Sequence, residues 1–233
     1  MKSLNLFVEK LKQNLGENLL TILAFGSNAN AEKVKNNLNL MVVTNTLNAE
    51  DLKAISKPVQ KWVKAKNPMI VIMDKVEWYS SFDTYALEYS DIKDNYRLIY
   101  GEDLVPNINI SKHYLRLACE KELKSLLLKY KNCFLMNIKS TKAMREIVNN
   151  VIKTLIVIFR SILRLYDKQV PYRATDIIES VSEILNIDKK TLIKLAEIKY
   201  EKRKCKKEEF KQAEDLLIIE IQKILQQVDN MQF

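Results

Sequence analysis

The sequence predicts an α+β fold: an amino-terminal domain built on a mixed sheet with flanking helices, followed by an all-α helical bundle. Three observations predict it. Short apolar runs alternate with helical patterns over the first hundred residues, every pattern beyond Ser111 has helical spacing, and a stretch of asparagines around Pro106 separates the two. These place the domains at residues 1–107 and 108–233.

The elements follow in order. Ser3 to Leu15 carries Leu6, Phe7, Val8, Leu11 and Leu15 at helical spacing, and Gly16 ends it. Leu19 to Phe25, Leu38 to Val43 and Met69 to Met73 are short apolar runs suited to buried strands. Between the last two, Ala49 to Lys66 reads as a helix opened by Asn48, with Asp51 three residues on as the second half of a cap. Asp74 to Phe82 reads as a helical turn or two, Tyr85 to Ile92 as a further strand, and Tyr100-Gly101-Glu102-Asp103 as a turn. In the second domain Ser111 and Ser140 each cap a long helix, the second running to Tyr166. Further helices are expected at Thr175 to Leu185, Lys190 to Tyr200 and Glu208 to Val228, the spacing of a bundle.

Composition removes several function classes. The chain has 233 residues, of which 47% are hydrophobic and 29% charged, enough apolar content for a full core. Its longest apolar run, Val151 to Leu165, is broken by Lys153, Arg160 and Arg164, so no membrane span is expected. Met1 to Gly16 carries Glu9 among lysines and lacks the pattern of a secretory signal, which predicts a cytoplasmic protein. Cys119, Cys133 and Cys205 share no metal-ligand spacing with one another or with His113, the single histidine. Neither a zinc site nor a histidine triad is expected, and His113 reads as a solvated residue at a helix start. A net charge of +9 favours an anionic partner without choosing among nucleotide, nucleic acid and membrane.

The chemistry-bearing pattern is Leu23-Ala24-Phe25-Gly26-Ser27-Asn28-Ala29-Asn30, followed by Asn37-Leu38-Asn39-Leu40-Met41-Val42-Val43. Gly26 lets the backbone turn sharply and approach a phosphate, and the Ser27 hydroxyl can donate to phosphate oxygens. Residues at i and i+2 of a strand face one side, so Asn37 and Asn39 present two side chains together. This arrangement resembles the signature of the DNA polymerase beta-type nucleotidyltransferase superfamily, in which a strand ends in Gly-Ser and an Asp-x-Asp pair begins a second strand about ten residues on. Asp83 to Ile92 and Leu98-Ile99-Tyr100-Gly101-Glu102-Asp103 are similar to that family's acidic strand and the turn after it. The helical tail resembles the bundle of aminoglycoside-type members.

The resemblance implies a nucleotide site at Gly26 and Ser27, with Glu88 in the third carboxylate position as a surviving catalytic base or metal ligand. It also implies Mg2+ with ATP or another NTP as cofactors wherever activity survives. The departure is at Asn37 and Asn39, where a neutral amide stands in each acidic position. A magnesium ion is held through carboxylates and substrate phosphates, so this degenerate pair is expected to leave no resident metal and an impaired or inactive transferase with residual nucleotide binding and a scaffold or regulatory role.

Three other readings compete. Asp74, Asp83, Glu88 and Asp91 could form a relocated acidic site in a live enzyme; a set of solvated carboxylates is the simpler account. Lys199, Lys202, Arg203, Lys204, Lys206 and Lys207 form the most basic stretch, but with Tyr200 as its one aromatic it reads better as a solvated helix connection than as a nucleic-acid site. The carboxy-terminal helices could bind a protein partner or a second copy, because Leu216, Leu217, Ile219, Ile221, Ile224 and Leu225 are broader than one core stripe needs.

Overall fold

The structure is a computed structural model, and it describes residues 2–26, 29, 38–201 and 206–233. Two compact units divide at the Ile110–Ser111 bond.

The first unit opens with α1 (Lys2–Leu15) and continues through β1 (Leu19–Phe25), β2 (Asn39–Thr44), α2 (Ala49–Lys64), β3 (Val71–Asp74), α3 (Lys75–Ser80), α4 (Ala86–Asp94) and β4 (Tyr96–Gly101). The sheet order is β3-β2-β1-β4. β1 pairs antiparallel with β2 and β4, whereas β2 and β3 run parallel, joined across α2. A parallel pair needs such a crossover, and α2 supplies it. Its start is the predicted capping box: the Asn48 side chain accepts from the Glu50 and Asp51 amides at 2.8 and 3.1 Å, and Asp51 accepts from the Asn48 amide at 3.1 Å. Asp74 and Glu77 cap α3 in the same reciprocal way.

Strand alternation divides the core. Ile22, Ala24, Leu40 and Val42 face one side, where α1 and α2 cover them with Phe7, Leu11, Ile55 and Trp62. Leu23, Met41 and Val43 face the other and meet Trp78, Tyr89, Ile92 and Leu104. Trp78, Phe82 and Tyr89 pack edge to face there, with centroids 4.9 to 6.0 Å apart.

One expectation about this unit is corrected. Tyr85 to Ile92 is not a strand: Ala86–Asp94 is α4, and the strand is β4, which begins at Tyr96. The buried positions Ala86, Leu87, Tyr89, Ser90 and Ile92 form a helical face, and it is the aromatic cluster around Trp78 that selects it. Tyr100 and Gly101, expected in a turn, close β4.

The second unit contains α5 (Lys112–Asn137), α6 (Thr141–Leu165), α7 (Ala174–Val181), α8 (Lys189–Tyr200) and α9 (Lys207–Asp229). Ser111 and Ser140 cap α5 and α6 by accepting from the Tyr114 and Ala143 amides. α7 is shorter than expected, because the chain leaves the helix in a turn after Val181. α6 forms the axis, with Val148, Ile152, Leu155, Phe159 and Ile162 buried. No helix of the described residues is long and apolar enough to cross a membrane.

Candidate functional site

The site is assembled where β1 ends. Gly26 has φ +81°, a left-handed conformation that an L side chain rarely adopts. Its amide donates to the Asn95 carbonyl at 2.9 Å, and its own carbonyl accepts from the Ala29 amide at 2.9 Å. The chain therefore turns sharply off the sheet while tied to the link between α4 and β4. A Cβ placed on Gly26 would lie 3.4 Å from Asn39 Nδ2. Gly26 and Asn39, singled out from sequence, thus lie side by side, and a side chain on Gly26 would come into contact with the Asn39 amide.

Asn39 begins β2 and shares its face with Met41 and Val43. Across the sheet it pairs with Phe25, which pairs in turn with Tyr96 on β4. The row at the strand ends is therefore Asn39, Phe25 and Tyr96, three uncharged side chains on neighbouring strands. The carboxylate tied to this row is Asp103, which accepts from the Tyr96 hydroxyl at 2.8 Å and from the Val105 amide at 3.1 Å. That bond raises the tyrosine's pKa, because ionisation would set two negative charges side by side.

Glu88 lies elsewhere in the secondary structure. It occupies the first turn of α4 with its side chain exposed, so the expected strand placement is corrected, for the packing reason given above. Ser27 and Asn37 lie outside the described residues, as do Lys202, Arg203, Lys204 and Cys205; Lys199, Lys206 and Lys207 flank that segment at the end of α8 and the start of α9. His113 is exposed on the first turn of α5, edge-on to Tyr114. Asp74 is committed to its helix cap, and Asp83 accepts from the Thr84 amide and hydroxyl. Among the described residues no three His, Cys, Asp or Glu side chains are gathered so as to hold a metal ion, and the relocated acidic cluster is not assembled. Asn39 with Phe25 and Tyr96 does not suit magnesium, which seeks anionic oxygens.

Sequence reasoning missed Tyr96, Arg97 and the Asn95 carbonyl. Arg97 stands opposite Ala24, and its Nε is buried without a partner among the described residues. The available signal was the Tyr-Gly-Glu-Asp stretch, whose first two residues close the strand that begins at Tyr96.

No family model and no curated protein sequence matches the chain. A solved structure does: spectinomycin adenyltransferase AAD(9) from Enterococcus faecialis with ATP and spectinomycin, at 16% identity and a TM-score of 0.59, covering 95% of this chain and 99% of that one. At that identity the likeness speaks to fold, and with the four-stranded mixed sheet and the helices after it, it establishes that this chain has a nucleotidyltransferase fold.

Proposed function

We propose that this protein uses the nucleotidyltransferase fold as a nucleotide-binding or scaffold unit and does not carry out metal-dependent nucleotidyl transfer. The observation that carries the reading is Asn39: its Nδ2 lies 3.4 Å from where a Cβ on Gly26 would be, so the neutral amide stands beside the turn, where the resemblance to the superfamily signature expects a carboxylate. Asn37 removes the second charge. A magnesium ion held there would meet amides in place of carboxylates and would lose several kcal/mol of binding as an order of magnitude, so metal-dependent transfer is not expected. The turn itself needs no metal. A backbone bent at Gly26 can still approach a phosphate closely, which supports weak nucleotide binding that is independent of magnesium.

Calorimetry with ATP alone and with ATP plus magnesium tests this, with equal, weak affinities expected. The acceptor arm uses spectinomycin, the molecule named with the similar structure. Labelled ATP, magnesium and spectinomycin should yield no adenylylated product. Magnesium-dependent product that disappears in Glu88→Gln would overturn the reading and return Glu88 to the role of base. The double change Asn37→Asp with Asn39→Asp should create magnesium-dependent ATP binding where the natural chain has none.

The scaffold part rests on the outer face of α9, where Leu216 and Ile219 are 44% and 49% exposed. Light scattering of the natural chain against Leu216→Glu with Ile219→Glu reads whether that face joins two copies; a mass unchanged between them removes self-association from the proposal.

A further inference from the structure

On the face of the first unit formed by α1 and α2 lies a groove of about 430 Å³, away from the Gly26 turn in the sequence of both helices that build it. Its two walls are matching helical seams. Ser3, Leu6, Phe7, Lys10 and Asn14 recur along α1 at helical spacing, and Ala54, Lys57, Pro58, Lys61 and Ala65 do so along α2. Each seam spans twelve residues, eleven helical steps or about 16 Å. The floor is aromatic: Phe7 and Trp62 stack at 4.8 Å between centroids with a 23° interplanar angle, and both are buried. The Trp62 indole N–H already donates to the Pro68 carbonyl at 3.1 Å, so the ring has no free donor to offer the groove. Leu6, 64% exposed, forms an apolar lip.

The rim carries one sign of charge. Among the described residues, Lys10, Lys57 and Lys61 line the groove and no carboxylate does. Lys57 and Lys61 are one turn apart on α2, with Lys53 a turn before them, a like-charged column that costs an isolated helix stability. Neither Lys57 nor Lys61 has an ion-pair partner among the described residues, and Lys10 is bonded to the neutral Gln13 at 2.9 Å. An elongated apolar slot with a stacked aromatic floor and uncompensated ammonium groups along one edge has the volume and the wall chemistry of a small-molecule site.

We propose that this groove binds an elongated amphiphilic anion, a free molecule with an apolar chain or ring system and a carboxylate-type head. The body lies along Phe7 and Trp62, and the head sits against Lys57 and Lys61. Two features set this class apart from the alternatives. A bare phosphate would leave the aromatic floor wet, and an uncharged hydrocarbon would leave the lysine column uncompensated.

The test uses the full chain, with dodecanoate below its micelle concentration as the probe and tryptophan emission as the readout. Trp62 is in the floor, whereas Trp78 is fully buried in the opposite core and serves as an internal constant. Saturable quenching or a blue shift is expected, with affinity at least tenfold weaker for dodecyltrimethylammonium, which has the same chain and the opposite charge. Lys57→Glu with Lys61→Glu, both exposed and remote from the core, should lower dodecanoate affinity at least tenfold with unchanged circular dichroism. Equal affinity for the cationic analogue, indifference to the double change, or no saturable response at all would overturn the proposal. So would binding seen with anionic vesicles and not with monomeric dodecanoate, which would make the face a membrane dock. A dimer of the natural chain dissolved by Lys57→Glu with Lys61→Glu would overturn it in favour of a second copy.

Discussion

Gly26 and Gly101 have nearly the same backbone conformation, φ +81° and +83°, and sit at opposite ends of the pairing around β1, yet they are glycine for different reasons. A Cβ on Gly101 would lie 1.9 Å from the Leu20 carbonyl oxygen and 3.1 Å from Thr21 Cα, so β4 could not close against β1. Among the described residues, a Cβ on Gly26 would meet Asn39 Nδ2 alone, at an ordinary contact distance. Gly101 is demanded by backbone against backbone. Among the described residues, Gly26 is demanded by its φ and not by a clash with main chain. A structural glycine and a site glycine are thus told apart by what a methyl group would strike.

The largest expected effect follows from the tighter of the two. Gly101→Ala combines the left-handed strain with a clash against main chain, and should destabilise the protein by about 3 kcal/mol or more. Urea unfolding would read this, and a loss below about 1 kcal/mol would mean that β4 shifts at little cost. Gly26→Ala should lose about 1–2 kcal/mol from backbone strain alone. It should nevertheless abolish whatever ATP binding calorimetry finds in the natural chain, so stability and binding separate at this end and not at the other.

Smaller changes sharpen the contrast. Thr21, fully buried, donates its hydroxyl to the Tyr100 carbonyl at 3.1 Å beside Gly101. Thr21→Val keeps the shape and removes that bond, and should lower stability by about 1 kcal/mol without touching nucleotide binding. At the Gly26 end Tyr96→Phe removes the exposed bond to Asp103 and should lower stability by less than about 1 kcal/mol. The sign of its pH dependence follows from the pKa raised by that bond. The contribution is fully present below the unfolded tyrosine pKa of about 10 and is lost as pH rises through the higher folded value. Parent and variant should therefore converge in stability in strongly alkaline solution; a gap that widens with pH would reverse the assignment.

Much of the first unit was legible from the sequence because its signals are local. Asn48 and Asp51 announce a capping box that forms as read, and the apolar runs at Leu19 to Phe25 and Leu38 to Val43 become the paired central strands β1 and β2. Legibility stopped at residues 85–101. There Tyr85, Leu87 and Tyr89 alternate like a strand, but the segment becomes a helix because Tyr89 and Ile92 pack with Trp78 and Phe82, residues whose proximity no local pattern encodes. β4 was overlooked for the complementary reason. As an edge strand of mixed burial, it offers neither a continuous apolar run nor clean alternation. The same misreading set Glu88 on a strand instead of a helix and hid Tyr96, which stands in the row with Asn39.

The sequence by itself determined the turn at Gly26, the neutral residues at 37 and 39, the helix caps and the helical character of the second unit, since each depends on a few adjacent residues and their backbone preferences. Only the tertiary structure decided that Gly26 lies over Asn39, that β4 rather than the segment before it flanks β1, and that Phe7 and Trp62 stack beneath a lysine rim. Those pairings join residues from 13 to 80 positions apart, and only packing and hydrogen bonding between distant elements select them.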